Sequence, residues 1–304
     1  MVGAEDSSPL PWAGPAEDYA AVAAGKVTSP EVAQWQARAQ RVTFAHAGGV
    51  LVAHHWPAAP APGQLHRAPV VLLHGGSGSW THWLRMLGPL TQAGHAVWAL
   101  DLPGFGASDP LPDQQDADDM LPLLAASLQH WLPGQAVQIM GFSLGGMTAA
   151  LLAAAYPALV RQLVLVGPPG LGLRDKPIYR LKGWRHLADP VEQLRCHQYN
   201  LGALMLADAR LIDRATLALH TANVQRDRLP RRRLASTDIL RQTLPRLACP
   251  VQAVYGQEDV LYRGLWPQAA ACFNGRLQLI AGAGHWVQYE QPGAFSAAVL
   301  PMLL

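Results

Sequence analysis

Three side chains far apart in the chain have the types and settings for nucleophilic acyl chemistry: Ser143, Asp259 and His285. Ser143 sits in Gly141-Phe142-Ser143-Leu144-Gly145, which closes the apolar run 137–140 and leads straight into the strong helix former 147–155. A strand that reverses into a helix this quickly strains the middle residue, lifts its hydroxyl above the sheet and aims the first helix amides at the same point. A serine hydroxyl is a poor nucleophile at neutral pH unless an imidazole takes its proton and a carboxylate holds that imidazole in the right tautomer. His285, in Gly284-His285-Trp286, follows the last strand-like run, where flanking glycines let the loop drop toward the serine. Asp259 lies just past the next-to-last such run, in Gly256-Gln257-Glu258-Asp259, with Glu258 as the fallback and an N-cap of a helix over 262–271 as the structural alternative.

A tetrahedral intermediate also needs two backbone N–H donors. One expected donor is Leu144, next after the serine, and the other is Gly76, in His74-Gly75-Gly76-Ser77-Gly78. That glycine-rich stretch has no lysine and fits no Gly-x-x-x-x-Gly-Lys pattern, so a phosphate cradle is the poorer account. Asp101, in Asp101-Leu102-Pro103-Gly104-Phe105-Gly106, is expected to fix a turn through hydrogen bonds, not to act on substrate. His46, His54 and His55 are expected at the surface.

These residues need a scaffold, and the hydrophobic pattern supplies one. Strand-like runs fall at 41–47, 50–56, 69–73, 96–100, 137–140, 162–166, 250–255 and 276–280, mostly separated by helical stretches. The first two alternate around Gly48-Gly49 as a hairpin, whereas the later ones are unbroken Val/Leu/Ile runs of the kind that parallel strands show when helices cover both faces. From 170 to 244 no buried strand is legible, and so long a stretch is expected to fold as a helical cap over the carboxyl edge of the sheet. Asp189 and either Asp213 or Thr216 are its expected helix starts. The expected organisation is an arm over 1–40 packing on the main domain, an α/β core over 41–169 and 245–304, and the cap between.

Composition narrows the function classes. A chain of 304 residues with a net charge of +2 gives no basic footprint for nucleic acid, and the cluster from Arg226 to Arg233 is expected to be solvated. The three cysteines have no metal spacing and fit no closed disulfide set, so reduced thiols in the cytoplasm are expected. Residues 1–15 carry Glu5 and Asp6 and lack the basic and apolar regions of a signal peptide, and no run is long enough to span a membrane. Neither cofactor nor metal is expected, and the expected partner is a small-molecule substrate, with no nucleic acid and no membrane.

Taken in order, Val71-Leu72-Leu73-His74-Gly75-Gly76, the stretch from Asp101 to Ser108, Gly141 to Gly146, Gly256 to Asp259 and Gly284-His285-Trp286 resemble the α/β-hydrolase superfamily across about 41–304. The resemblance implies an α/β-hydrolase fold with a mostly parallel eight-stranded sheet, and a cofactor-free serine hydrolase with a lid between strands six and seven. Ser143 argues against the branches with an aspartate nucleophile. Gly284 to Glu290 and the stretch from Leu204 to Ile212 look like the meta-cleavage-product C–C hydrolases, which cleave vinylogous 1,5-diketones. That family usually carries Asn where Phe142 stands and a cap Arg where His220 falls. Their replacement favours an apolar, uncharged substrate. Phe142, Trp286, His82 and His220 are the expected substrate-binding residues. The sequence therefore favours hydrolysis of a small or medium apolar ester through an acyl-enzyme, with C–C hydrolysis and a triad-retaining ligand receptor as alternatives.

Overall fold

The computed structural model describes residues 9–59, 63 and 67–303. Residues 1–8, with Glu5 and Asp6 of the expected arm, lie outside that range. All eight expected strands form: β1 Gln40–His46, β2 Gly49–Trp56, β3 Arg67–Leu73, β4 His95–Asp101, β5 Val137–Phe142, β6 Val160–Val166, β7 Val251–Gly256 and β8 Leu277–Ile280. They make one sheet in the order β1-β2-β4-β3-β5-β6-β7-β8, antiparallel at the β1–β2 and β2–β4 pairs and parallel elsewhere. Leu73 of β3 is level with Gly141 of β5, Val166 of β6 with Val254 of β7, and Gly256 of β7 with Ile280 of β8. The loops that follow these strands therefore leave the sheet at one edge, where open α/β sheets bind ligands.

The unbroken apolar strands serve two cores at once. Val71, Leu73, Ile139, Leu163 and Leu165 point into one cluster, while Val70, Leu72, Met140, Val164 and Val254 point into the other. Eleven helices fill the connections among the described residues: α1 Ala16–Ala23, α2 Pro30–Arg38, α3 Leu87–Gln92, α4 Leu121–Trp131, α5 Leu144–Ala155, α6 Pro190–Asn200, α7 Arg214–Gln225, α8 Ile239–Thr243, α9 Trp266–Cys272, α10 Val287–Glu290 and α11 Pro292–Val299. Leu124 and Leu128 of α4 and Met147 and Leu152 of α5 belong to the first cluster, whereas Phe295 and Val299 of α11 belong to the second. Truncating a fully buried leucine such as Leu72 to alanine should cost about 2–5 kcal/mol.

Between β6 and β7 the described residues contain helices and turns but no strand. Asp189 caps α6 by accepting from the Val191 amide at 3.1 Å, and Asp213 caps α7 by accepting from the Thr216 amide at 2.7 Å, so Asp213 and not Thr216 begins that helix. The amino-terminal arm divides its packing, contrary to the expectation that it rests on the main domain. Val22 and Ala23 of α1 pack against Leu194 of α6 and Ala218 of α7, and Asp18 pairs with Arg214. Val32 and Trp35 of α2, with Trp12 and Ala39 outside the helices, pack on the second core cluster, and the Trp35 carbonyl accepts from the Trp56 indole at 2.9 Å.

Candidate active site

Ser143 joins β5 to α5 with φ +50° and ψ −118°, a combination that a side chain larger than hydrogen adopts only when its surroundings hold it. A β-carbon on Gly141 would stand 2.4 Å from the Gly145 carbonyl oxygen, and one on Gly145 would stand 2.4 Å from the His74 carbonyl oxygen. Both neighbouring glycines are therefore demanded by close backbone approach. The Ser143 amide donates to the Val166 carbonyl at 2.8 Å, and its carbonyl accepts from the Gly146 amide at 2.9 Å, which locks the turn from both sides.

Two loops bring the other groups to this hydroxyl. His285 Nε2 lies 2.9 Å from Ser143 Oγ, and His285 Nδ1 lies 2.8 Å from Asp259 Oδ2. Asp259 is fully buried and His285 nearly so. With Nδ1–H given to the carboxylate, the Nε2 lone pair faces the hydroxyl proton, the tautomer that a general base requires. Asp259 Oδ1 accepts from the Leu261 amide at 2.9 Å, so the turn after β7 aims the carboxylate. The helix expected from 262 begins at Trp266, and Asp259 does not cap it. Glu258 faces solvent, 3.4 Å from Arg263.

The loop after β3 completes the cluster. The His74 imidazole donates from Nδ1 to the Gly75 carbonyl at 2.7 Å and accepts at Nε2 from the Leu102 amide at 2.9 Å, and its burial pushes its pKa down. Asp101 accepts from the Trp80 amide at 2.8 Å and the Ala107 amide at 2.9 Å and so fixes its turn as expected. Gly76, Leu144, Ser143 and His285 all line one cavity of about 370 Å³, with Phe142 and Tyr179 on its walls. Among the described residues the amides of Gly76 and Leu144 have no acceptor. Burial, followed by the nearby Asp259 carboxylate, raises the pKa of the Tyr179 phenol.

A second chamber of about 450 Å³ shares Gly76, Ser77, Leu204, Met205 and Arg232 with the first. His82 and His220 line this second chamber, not the one over Ser143. Desolvation lowers the pKa of His220 to about 3, with His197 adding to the effect, so it is a neutral donor and acceptor at physiological pH. His82 Nδ1 accepts from the Gly75 amide at 3.3 Å, which leaves the proton on Nε2. Trp286 departs from expectation. It lines neither chamber: its fully buried ring stacks on Tyr289 at 4.0 Å, and its indole N–H donates to the His82 carbonyl at 3.0 Å. It shapes the loop of His285 from within the core.

Other expectations also change. His54 is buried, 3.7 Å from Asp101 and packed against Trp56 and Trp80, because β2 lies inside the sheet. The basic stretch 226–233 is more than a solvated end: Arg228 donates to the Ser108 carbonyl at 2.5 Å, and the half-buried Arg232 pairs with Asp227. Glu290, which the sequence placed at the end of a family-like stretch without a role of its own, accepts from the amides of Gly284 at 2.6 Å and Asp208 at 2.6 Å, tying the His285 loop to the insertion. Its signal in the sequence is an acid five positions after the histidine, and its burial shows only in the structure. Tyr179 lay in a segment with no periodic pattern at all.

Among the described residues no three His, Cys, Asp or Glu side chains are grouped to hold a metal, Cys196, Cys249 and Cys272 are all unpaired, and no helix is long and apolar enough to cross a membrane.

Comparison with known proteins fits this geometry. The family model described as the alpha/beta hydrolase fold matches residues 68–191. The chain is 27% identical over 256 residues to the 2-hydroxy-6-oxo-6-phenylhexa-2,4-dienoate hydrolase of Comamonas testosteroni, covering 77% of this chain and 87% of that protein. Carboxylesterase CesB of Bacillus subtilis superposes with a TM-score of 0.68 at 17% identity, over 93% of this chain and 97% of its own. The meta-cleavage product hydrolase of Pseudomonas fluorescens gives 0.66 at 19%, over 86% and 96%. At these identities the two structures speak to the fold alone.

Proposed function

Since the chain is an α/β-hydrolase, we propose that it cleaves a small or medium apolar carboxylic ester through an acyl-enzyme on Ser143. The observation that carries this reading is the continuous Ser143–His285–Asp259 contact, 2.9 Å and then 2.8 Å, at the floor of a cavity. Ser143 Oγ adds to the ester carbonyl carbon as His285 Nε2 takes its proton, and the carbonyl electrons move onto oxygen. That oxyanion accepts from the Leu144 and Gly76 amides. Collapse expels the alkoxide, which leaves as alcohol with the proton from His285, and a water molecule then repeats the sequence on the acyl-enzyme to release the acid. Asp259 stays ionised and holds the imidazole in place. No step calls for a cofactor or metal. The inserted helices act as a cap that selects substrate, and the buried, apolar Phe142 beside the serine favours an uncharged acyl group.

A second reading has its own support. The curated relative at 27% identity hydrolyses a C–C bond, and the second chamber carries Arg232 and His220, donors suited to an oxygen-rich arm of such a substrate. The same enzyme preparation assayed on a series of p-nitrophenyl esters and on ring-fission dienones separates the two. Faster turnover of esters is the expected result; faster turnover of any dienone gives the second reading.

A further inference from the structure

Ser77 directly follows Gly76 yet has φ +51°, a left-handed conformation that favours glycine and persists in serine only when neighbouring groups hold it. The group that holds it comes from 150 positions away. Ser77 Oγ donates to Asp227 Oδ2 at 2.5 Å, and the same carboxylate accepts from Arg232 Nη2 and, at 3.2 Å, from the Leu229 amide. The Asp227 side chain is only 8% exposed. Arg232 then lies across Gly76 itself, its Nε 3.2 Å from where a β-carbon on that glycine would stand.

The segment carrying Asp227 is in turn anchored to the core. The Arg228 amide donates to the Gly104 carbonyl at 2.9 Å and the Arg228 guanidinium to the Ser108 carbonyl. Near the end of α7, Asn223 accepts from Ser79 Oγ at 2.7 Å and donates to Thr81 Oγ1 at 3.0 Å. Ser77, Ser79 and Thr81 are thus all bonded to the same turn of the insertion. The Asp227–Arg232 pair is neutral overall, and the Ser77 hydroxyl bonded to it fixes the course of the loop that carries Gly76. An amide stabilises an oxyanion only when it is aimed at the place where charge develops.

We propose that Ser77 and Asp227 are positioning residues that fix the direction of the Gly76 amide, so that the insertion governs the turnover step as well as substrate choice. The proposal rests on the acyl-transfer reading above. A staple that merely fastened the insertion would affect stability or KM, whereas a positioning contact acts on kcat and on transition-state mimics.

The test compares wild type, Ser77→Ala, Asp227→Ala and the double variant on one p-nitrophenyl ester. It also measures inhibition by an aryl trifluoromethyl ketone, whose serine adduct carries an oxyanion. Ser77→Ala should lower kcat about tenfold or more, leave KM within about twofold and weaken the ketone by the same factor as kcat. Asp227→Ala, which also frees Arg232 and the Leu229 amide, should lower kcat and ketone affinity at least as much, and adding Ser77→Ala to it should cause no further loss, since both remove the Ser77–Asp227 hydrogen bond. Unchanged kcat and ketone affinity in Ser77→Ala, a loss confined to KM, or additive losses would overturn the proposal. If wild type neither turns over esters nor binds the ketone, the acyl-transfer reading itself fails and takes this one with it, an outcome visible before any variant is made.

Discussion

The ring of Phe142 packs 5.0 Å from the imidazole of His285, tilted by 43°, so the residue before Ser143 forms a wall beside His285. Phe142 is also 5.4 Å from the His82 ring and fully buried. Phe142→Asn therefore opens space and places an amide where an apolar wall stood. It should lower kcat/KM for apolar esters by at least about tenfold while raising the dienone-to-ester ratio, and should lower stability by roughly 3 kcal/mol. Steady-state assays with both substrate types and a thermal melt check this. An unchanged ratio means that Phe142 does not set specificity.

Asp259→Asn should reduce kcat by about 10³-fold or more with the fold retained, because the amide cannot fix the tautomer of His285 as the carboxylate does. Glu258→Gln should leave kcat unaltered, since that carboxylate faces solvent beside Arg263. Paired kinetics on the two variants decide the matter; the reverse pattern would shift the acid by one residue.

Much of this site was legible because its signals are local. The Gly-x-Ser-x-Gly turn, the unbroken apolar runs and the loop positions of Asp259 and His285 each depend on a few consecutive residues, and all eight strands formed within a few residues of their expected limits. What could not be read depends on distance in sequence. Asp227 meets Ser77 across 150 positions, and Glu290 meets Asp208 across 82. His54 was expected at the surface because the hairpin alternates, but β2 is flanked by β1 and β4, and its neighbour Trp80 comes from the loop after β3. Trp286 stood next to the histidine in sequence, and yet a loop turns successive side chains in different directions, so adjacency did not put it in the cavity.

The turn at Ser143 tolerates no added atom on its flanking glycines. A β-carbon on Gly145 would lie 2.4 Å from the His74 carbonyl oxygen and 2.5 Å from that of Leu73, both rigid backbone. Gly145→Ala should consequently lower Tm markedly and reduce soluble yield, whereas Gly275→Ala, with nothing within 4 Å, pays only for its positive φ and should cost far less. Differential scanning calorimetry on the pair checks the contrast.

Acid should destabilise the protein through His197. Its ring is fully buried against Trp184 at 4.9 Å and His220 at 5.4 Å, both nitrogens lack hydrogen-bond partners among the described residues, and desolvation, followed by Arg185, holds its pKa at about 4. An unfolded histidine titrates near 6.5, so between those values the unfolded chain carries more protons and stability rises with pH. The contribution is lost as pH falls from about 6.5 to about 4 and amounts to roughly 3 kcal/mol. His197→Gln should flatten the fall in Tm between neutral pH and pH about 4.5. An equally steep fall in the variant would place the acid sensitivity elsewhere.

The central claim is that Ser143 is the group acylated in turnover, and covalent labelling tests it most directly. Active enzyme incubated with a fluorophosphonate, digested and examined by mass spectrometry should carry the added phosphonyl mass on the peptide containing Ser143, in step with loss of ester hydrolysis, and Ser143→Ala should take up none. Inactivation accompanied by label on another serine, or full activity surviving stoichiometric label on Ser143, would contradict the account.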